Sequence, residues 1–137
     1  MTLSNRVRTA FTVCFWAYAL ILMVATHAPA RDVQFLVRAA DYGLLDADKL
    51  LHMAAYGVLG LLAALAYGGL WRTRSTAAIV LFALLAAWGV VDELTQPWFG
   101  RLADSNDWAY DMLGSAIGLA AGFVASSRLT ARLRSAG

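Results

Sequence analysis

A chain of 137 residues is long enough for one domain, and 61% of it is hydrophobic against 15% charged. Average soluble domains carry about 45–50% apolar and about 25% charged residues, so an ordinary soluble globular domain is excluded. The net charge of +2 does not mark a nucleic-acid binder. The basic residues sit in short clusters at the ends of apolar blocks, with no basic stripe interleaved with aromatics.

Four apolar blocks follow one another, at about 10–30, 50–70, 77–95 and 108–125. Each approaches the roughly 20 residues that cross a bilayer core about 30 Å thick. None shows the alternation of barrel strands, and lipid tolerates only helices or closed barrels, so helices are expected. Arg6 and Arg8 precede the first block, which holds the lone Cys14 and ends near His27 and Ala28-Pro29-Ala30. Basic residues, an apolar run and an Ala-x-Ala site also describe a cleaved signal peptide. The run is long for that, and a retained span is the preferred reading. The connection that follows carries Asp32, Asp41, Asp46 and Asp48, and Val33 to Val37 could form a short amphipathic helix on the outer interface.

Asp48, Lys49 and His52 open the second block, and Asp48, His52, Tyr56 and Gly60 share one helical face. Asp48 also suits a helix N-terminus as a plain favourable charge. A turn with Arg72 and Arg74 leads to the third block, which ends in Asp92, Glu93, Gln96 and Pro97. Adjacent carboxylates oppose the dipole at a helix C-terminus, and at membrane depth they call for a partner or a purpose. Arg101 then stands among Asp104, Asp107 and Asp111. It can pair an acid or bind a phosphate or carboxylate through its planar fork. Asp107 suits the cap of the fourth helix. The face of Asp111 continues through Gly114, Ser115, Gly118 and Gly122, a double GxxxG stripe for close packing within or between chains. Arg128, Arg132 and Arg134 follow.

Every carboxylate falls in two of the connections and the arginine clusters fall elsewhere. The positive-inside rule therefore predicts both termini and the Arg72 turn in the cytoplasm. The predicted fold is all-α: one domain over 1–137, a polytopic four-helix transmembrane bundle whose outer helix ends gather the polar residues. No nucleophile elbow, phosphate-cradling loop or paired-cysteine metal site appears. No cofactor is demanded and no metal ligands are assigned. One histidine among several carboxylates supplies donors for a divalent cation at the acidic outer cluster, with His27 as a further nitrogen.

Taken together, D-K-x-x-H-x-x-x-Y from Asp48 to Tyr56, D-E-x-x-Q from Asp92 to Gln96, Arg101 with Asp107, and Gly114 with Gly118 resemble the VanZ-like family. The resemblance covers about residues 45–125. It implies a small integral protein of the bacterial cytoplasmic membrane, in a family whose founding member is associated with glycopeptide resistance, chiefly to teicoplanin. Asp111 departs from it, since the family more often carries asparagine there.

Two functions compete, and whether the chain is an enzyme stays open between them. In the first, the outer site acts on or binds a lipid-linked or cell-envelope anionic molecule. Asp92 or Glu93 would be general base and His52 proton shuttle, with Asp48, Lys49, Tyr56, Gln96, Arg101, Asp107 and Asp111 as binding residues. In the second, the protein is a non-enzymatic accessory whose polar cluster fixes helix packing. Either way its expected surroundings are membrane lipid, not nucleic acid; a cell-envelope precursor belongs to the first function, and the glycine stripe allows an oligomer. A transporter is less favoured, because the ionisable residues lie at helix ends and the centres are apolar.

Overall fold

The computed structural model describes residues 5–28, 47–100 and 104–135. Among these residues four helices form and no strand: α1 (Asn5–Thr26), α2 (Ala47–Tyr67), α3 (Arg74–Thr95) and α4 (Ser105–Ser135). A 3-10 turn, Gln96–Phe99, extends α3. Arg101, Asp32, Asp41, Asp46 and the suggested interfacial helix lie outside the described residues.

Each helix begins before its apolar block, because hydropathy marks the greasy stretch and not the first helical turn. Thr73 is extended, and its hydroxyl accepts the Thr76 amide at 3.1 Å, capping α3 at Arg74. Asp104, not the expected Asp107, caps α4: its carboxylate accepts the Asn106 amide at 2.8 Å. α4 also runs past the expected end near Ala125 to Ser135, through the good helix formers Arg, Leu and Ala. α2 stops at Tyr67, ahead of Gly68-Gly69. Pro97 and Gly100, at φ 77°, close the 3-10 turn, and the left-handed φ favours glycine.

α2 is the hub: it touches the other three helices, and its contact with α4 is the most extensive in the molecule. The reason is the glycine stripe. A Cβ on Gly114 would overlap the carbonyl oxygen of Met53, and one on Gly118 that of Gly57. One on Gly122 would fall 2.8 Å from the Leu61 carbonyl oxygen. From α2, Gly60 answers with its own close approach, 2.6 Å from the Ser115 carbonyl oxygen to a would-be Cβ. Positions 53, 57 and 61 thus meet 114, 118 and 122 turn by turn, and the stripe is occupied within the chain. Small residues maximise van der Waals packing between apolar helices by letting backbones meet. The remaining core is small too, with Ala19, Ala63 and Ala64 packed beside Leu59, Leu81, Leu85 and Leu119.

The outward surface is apolar. Val13, Leu20, Ile79, Leu84 and Leu94 are all more than half exposed. Only 17% to 39% of each apolar window is buried inside the protein, so most of this greasy surface has no internal partner. All four helices are long and apolar enough to cross a membrane. Arg8, Arg72, Arg74 and Thr130 line one cavity, which places the start of α1, the α2–α3 turn and the end of α4 at the same end. Among the described residues, the carboxylates and both histidines lie at the other.

Gly57 and Gly118 face each other yet differ in tolerance. An alanine at Gly57 meets only ordinary contact, 3.6 Å from the Gly114 carbonyl oxygen. Denaturation in detergent should show Gly57→Ala neutral to mildly stabilising and Gly118→Ala destabilised by about 1–3 kcal/mol. Equal effects would contradict the packing described.

Candidate functional site

At the acidic end, three helices each deliver a polar residue about one or two turns from their ends. His52 of α2 stands opposite Asp111 of α4, its Nδ1 3.0 Å from Asp111 Oδ1. Both are buried, Asp111 completely. This pair follows from the glycine stripe: Asp111 sits one turn before Gly114, and His52 one position before Met53, whose carbonyl Gly114 touches. On the other side of the ring, His52 Nε2 lies 3.8 Å from Asp107 Oδ2. Asp107 occupies the first turn of α4, where its charge suits the helix dipole.

Glu93 arrives from α3. Its Oε2 accepts the Asp104 amide at 2.9 Å and its Oε1 accepts the Gln96 side-chain amide at 3.2 Å. One donor atom from each of His52, Glu93 and Asp111 lies within 4.8 Å of the others, and all three residues are buried. A second such group, Asp48, His52 and Asp107, shares the same imidazole nearer the rim. Several atoms here are left without a hydrogen-bond partner: Asp111 Oδ2, Gln96 Oε1 and Ser115 Oγ, on residues with no exposed surface.

Asp92, next to Glu93, points elsewhere. Its Oδ1 accepts the Thr26 hydroxyl at 2.7 Å and its Oδ2 accepts the Tyr56 hydroxyl at 3.3 Å. It therefore ties α3 to both α1 and α2. His27 belongs to this group and does not join His52 as a second metal nitrogen. Its Nδ1–H donates to the Met23 carbonyl at 2.8 Å, and its Nε2 lies 2.7 Å from the Thr95 hydroxyl. The Phe99 ring stands edge-on against it, centroids 4.8 Å apart.

The expected residues thus divide. His52, Glu93, Gln96, Asp107 and Asp111 come together, with Asp48 at their rim. Asp92 and Tyr56 form a neighbouring hydrogen-bonded group. Lys49 is half-buried beside Asp48. Arg101 lies outside the described residues. Gly60, Gly114, Gly118 and Gly122 serve packing. Thr26, Thr95, Asp104 and Ser115 were not among the expected site residues. Hydroxyls in an apolar run carry little signal of their own, although Ser115 follows Gly114 on the Asp111 side.

Below this end an apolar groove of about 350 Å³ opens between α1, α2 and α3. Trp88, Leu85 and Leu81 line its α3 wall, and Trp16 and Ala19 its α1 wall. Trp88 is one helical turn from Asp92, so the groove climbs toward the polar end. Its indole N–H is buried without a partner.

Compared with family models, curated proteins and solved structures, the chain matches none.

Thr26→Val and Tyr56→Phe each remove one donor from Asp92 while keeping the side chain's bulk. Each should destabilise the detergent-solubilised protein by about 0.5–1.5 kcal/mol. Sharing one acceptor, their effects in the double variant should not add. Simple additivity would show that Asp92 is not the common hub.

Proposed function

We propose that the chain is a multi-pass protein of the bacterial cytoplasmic membrane whose polar end, on the extracytoplasmic face, binds or acts on the head group of a lipid-linked cell-envelope molecule. The observation that carries this reading is the burial of His52, Glu93 and Asp111 together, from three helices, in an otherwise apolar bundle. Ionisable groups at such depth are expensive and are retained where they face a pathway or a ligand. The charge segregation supports the orientation: Arg8, Arg72 and Arg74 gather at one end and Asp48, Glu93, Asp107 and Asp111 at the other, as the positive-inside rule requires. The groove beneath Asp92 supports an amphiphile, since an acyl or isoprenoid chain would lie along Leu81, Leu85 and Trp88 with its head at the polar end.

In this reading Glu93 serves as general base. His52 relays the proton, with Asp111 holding the imidazole by its Nδ1–H. Arg101 anchors an anionic group. The VanZ-like resemblance adds glycopeptide resistance as the physiological setting. A second reading, a non-enzymatic accessory protein, draws on the Asp92 group, whose bonds to Thr26 and Tyr56 serve packing fully without any ligand.

The two separate in one assay: teicoplanin susceptibility of a sensitive host expressing wild type or Glu93→Gln at matched membrane abundance. The site reading expects protection by the wild type that Glu93→Gln abolishes. Equal protection by both would overturn a direct role for Glu93. If Glu93→Gln at equal expression instead loses folded protein and protection together, and regains protection once abundance is matched, the accessory reading is favoured. Protection by neither would remove glycopeptide resistance from the proposal.

A further inference from the structure

We infer that His52, Glu93 and Asp111 form a binding site for a divalent cation, with the Gln96 amide oxygen as fourth ligand. Donor atoms of the three residues already lie within 4.8 Å of one another. Ligands about 2.0–2.2 Å from a shared ion are about 3–4 Å apart, so a small inward movement suffices. The second observation is the set of stranded acceptors. Asp111 Oδ2 and Gln96 Oε1 have no hydrogen-bond partner, and both side chains are fully buried. The Gln96 amide is fixed against the cluster by its Nε2–H bond to Glu93 Oε1. A buried acceptor without a donor is costly, and a cation supplies what every such atom lacks.

The surrounding charge points the same way. Asp107 stands across the His52 ring, and two further carboxylates, Asp48 and Asp104, stand at the rim, so the end of the bundle draws cations inward. On binding, the ion replaces the proton between His52 Nδ1 and Asp111 Oδ1. The opposite Nε2–H then faces Asp107 Oδ2, now 3.8 Å away, in the carboxylate–histidine–metal arrangement that fixes a ligating ring. One imidazole, two carboxylates and an amide oxygen suit Mn²⁺ or Zn²⁺ better than a soft-ligand metal. This inference rests on the geometry alone, and head-group binding does not require it; with the ion bound, Glu93 and His52 serve as its ligands in place of general base and proton relay.

The test uses the full chain in nanodiscs, stripped with chelator and titrated with Mn²⁺ under electron paramagnetic resonance. Stoichiometric uptake displaced by Zn²⁺ is expected, with a nitrogen coupling to the bound Mn²⁺. The chain has only two histidines, so the coupling should vanish in His52→Gln and persist in His27→Gln. Glu93→Gln and Asp111→Asn should each weaken binding roughly tenfold or more, and Asp92→Asn should not. No stoichiometric uptake by the wild type would overturn the proposal. So would a nitrogen coupling that survives His52→Gln. Because the coupling is read on wild type and histidine variants, failure of a carboxylate variant to fold does not obscure the result.

Discussion

Everything at the polar end depends on how closely α2 and α4 approach. Where Gly114 and Gly118 lie against the Met53 and Gly57 carbonyls, no side chain separates the two backbones. That contact fixes both the distance and the register of the helices. One turn further toward the acidic end, the same register sets His52 against Asp111 at hydrogen-bond distance. A slip of one residue on either helix would rotate one partner by about 100° and turn it away from the other. Packing and site are therefore one constraint, because the glycines have no other register in which the pair can meet.

The two acidic residues that end α3 divide their labour. Asp92 is hydrogen-bonded by side chains from two other helices, and its place is explained by cohesion. Glu93 and Asp111 are different. They are buried beside one another with an imidazole between them, and the Asp111 carboxylate and the Gln96 amide are each left with an oxygen unmet. In an apolar bundle such atoms lower stability unless something else satisfies them. Natural proteins keep unfavourable groups of this kind chiefly where function uses them.

Much of the fold was legible because long apolar helices obey few rules. Blocks near 20 apolar residues marked the four helices, and the spacing of Gly114, Gly118 and Gly122 marked a close helix contact. The i, i+4 spacing of Asp48, His52 and Tyr56 placed them correctly on one face of α2. What sequence could not supply was pairing. Nothing in the chain says that Asp111 meets His52, or that neighbouring Asp92 and Glu93 turn to different partners. Those outcomes depend on which helices adjoin and at what rotation. The helix ends were misplaced for a simpler reason: Asp104 and Thr73 cap helices through local hydrogen bonds that leave no trace in hydropathy. Thr26 and Thr95 were missed because a threonine hydroxyl reads as neutral until its partner is known.

The central claim is that the α2–α4 contact holds His52 and Asp111 as a buried interacting pair. A double-mutant cycle tests it most directly, using His52→Ala, Asp111→Ala and the double variant, unfolded in detergent with chelator present. A coupling energy of about 1 kcal/mol or more between the two positions is predicted. Additive effects, within error, would contradict it and would mean that the two residues do not act on one another across the helix interface.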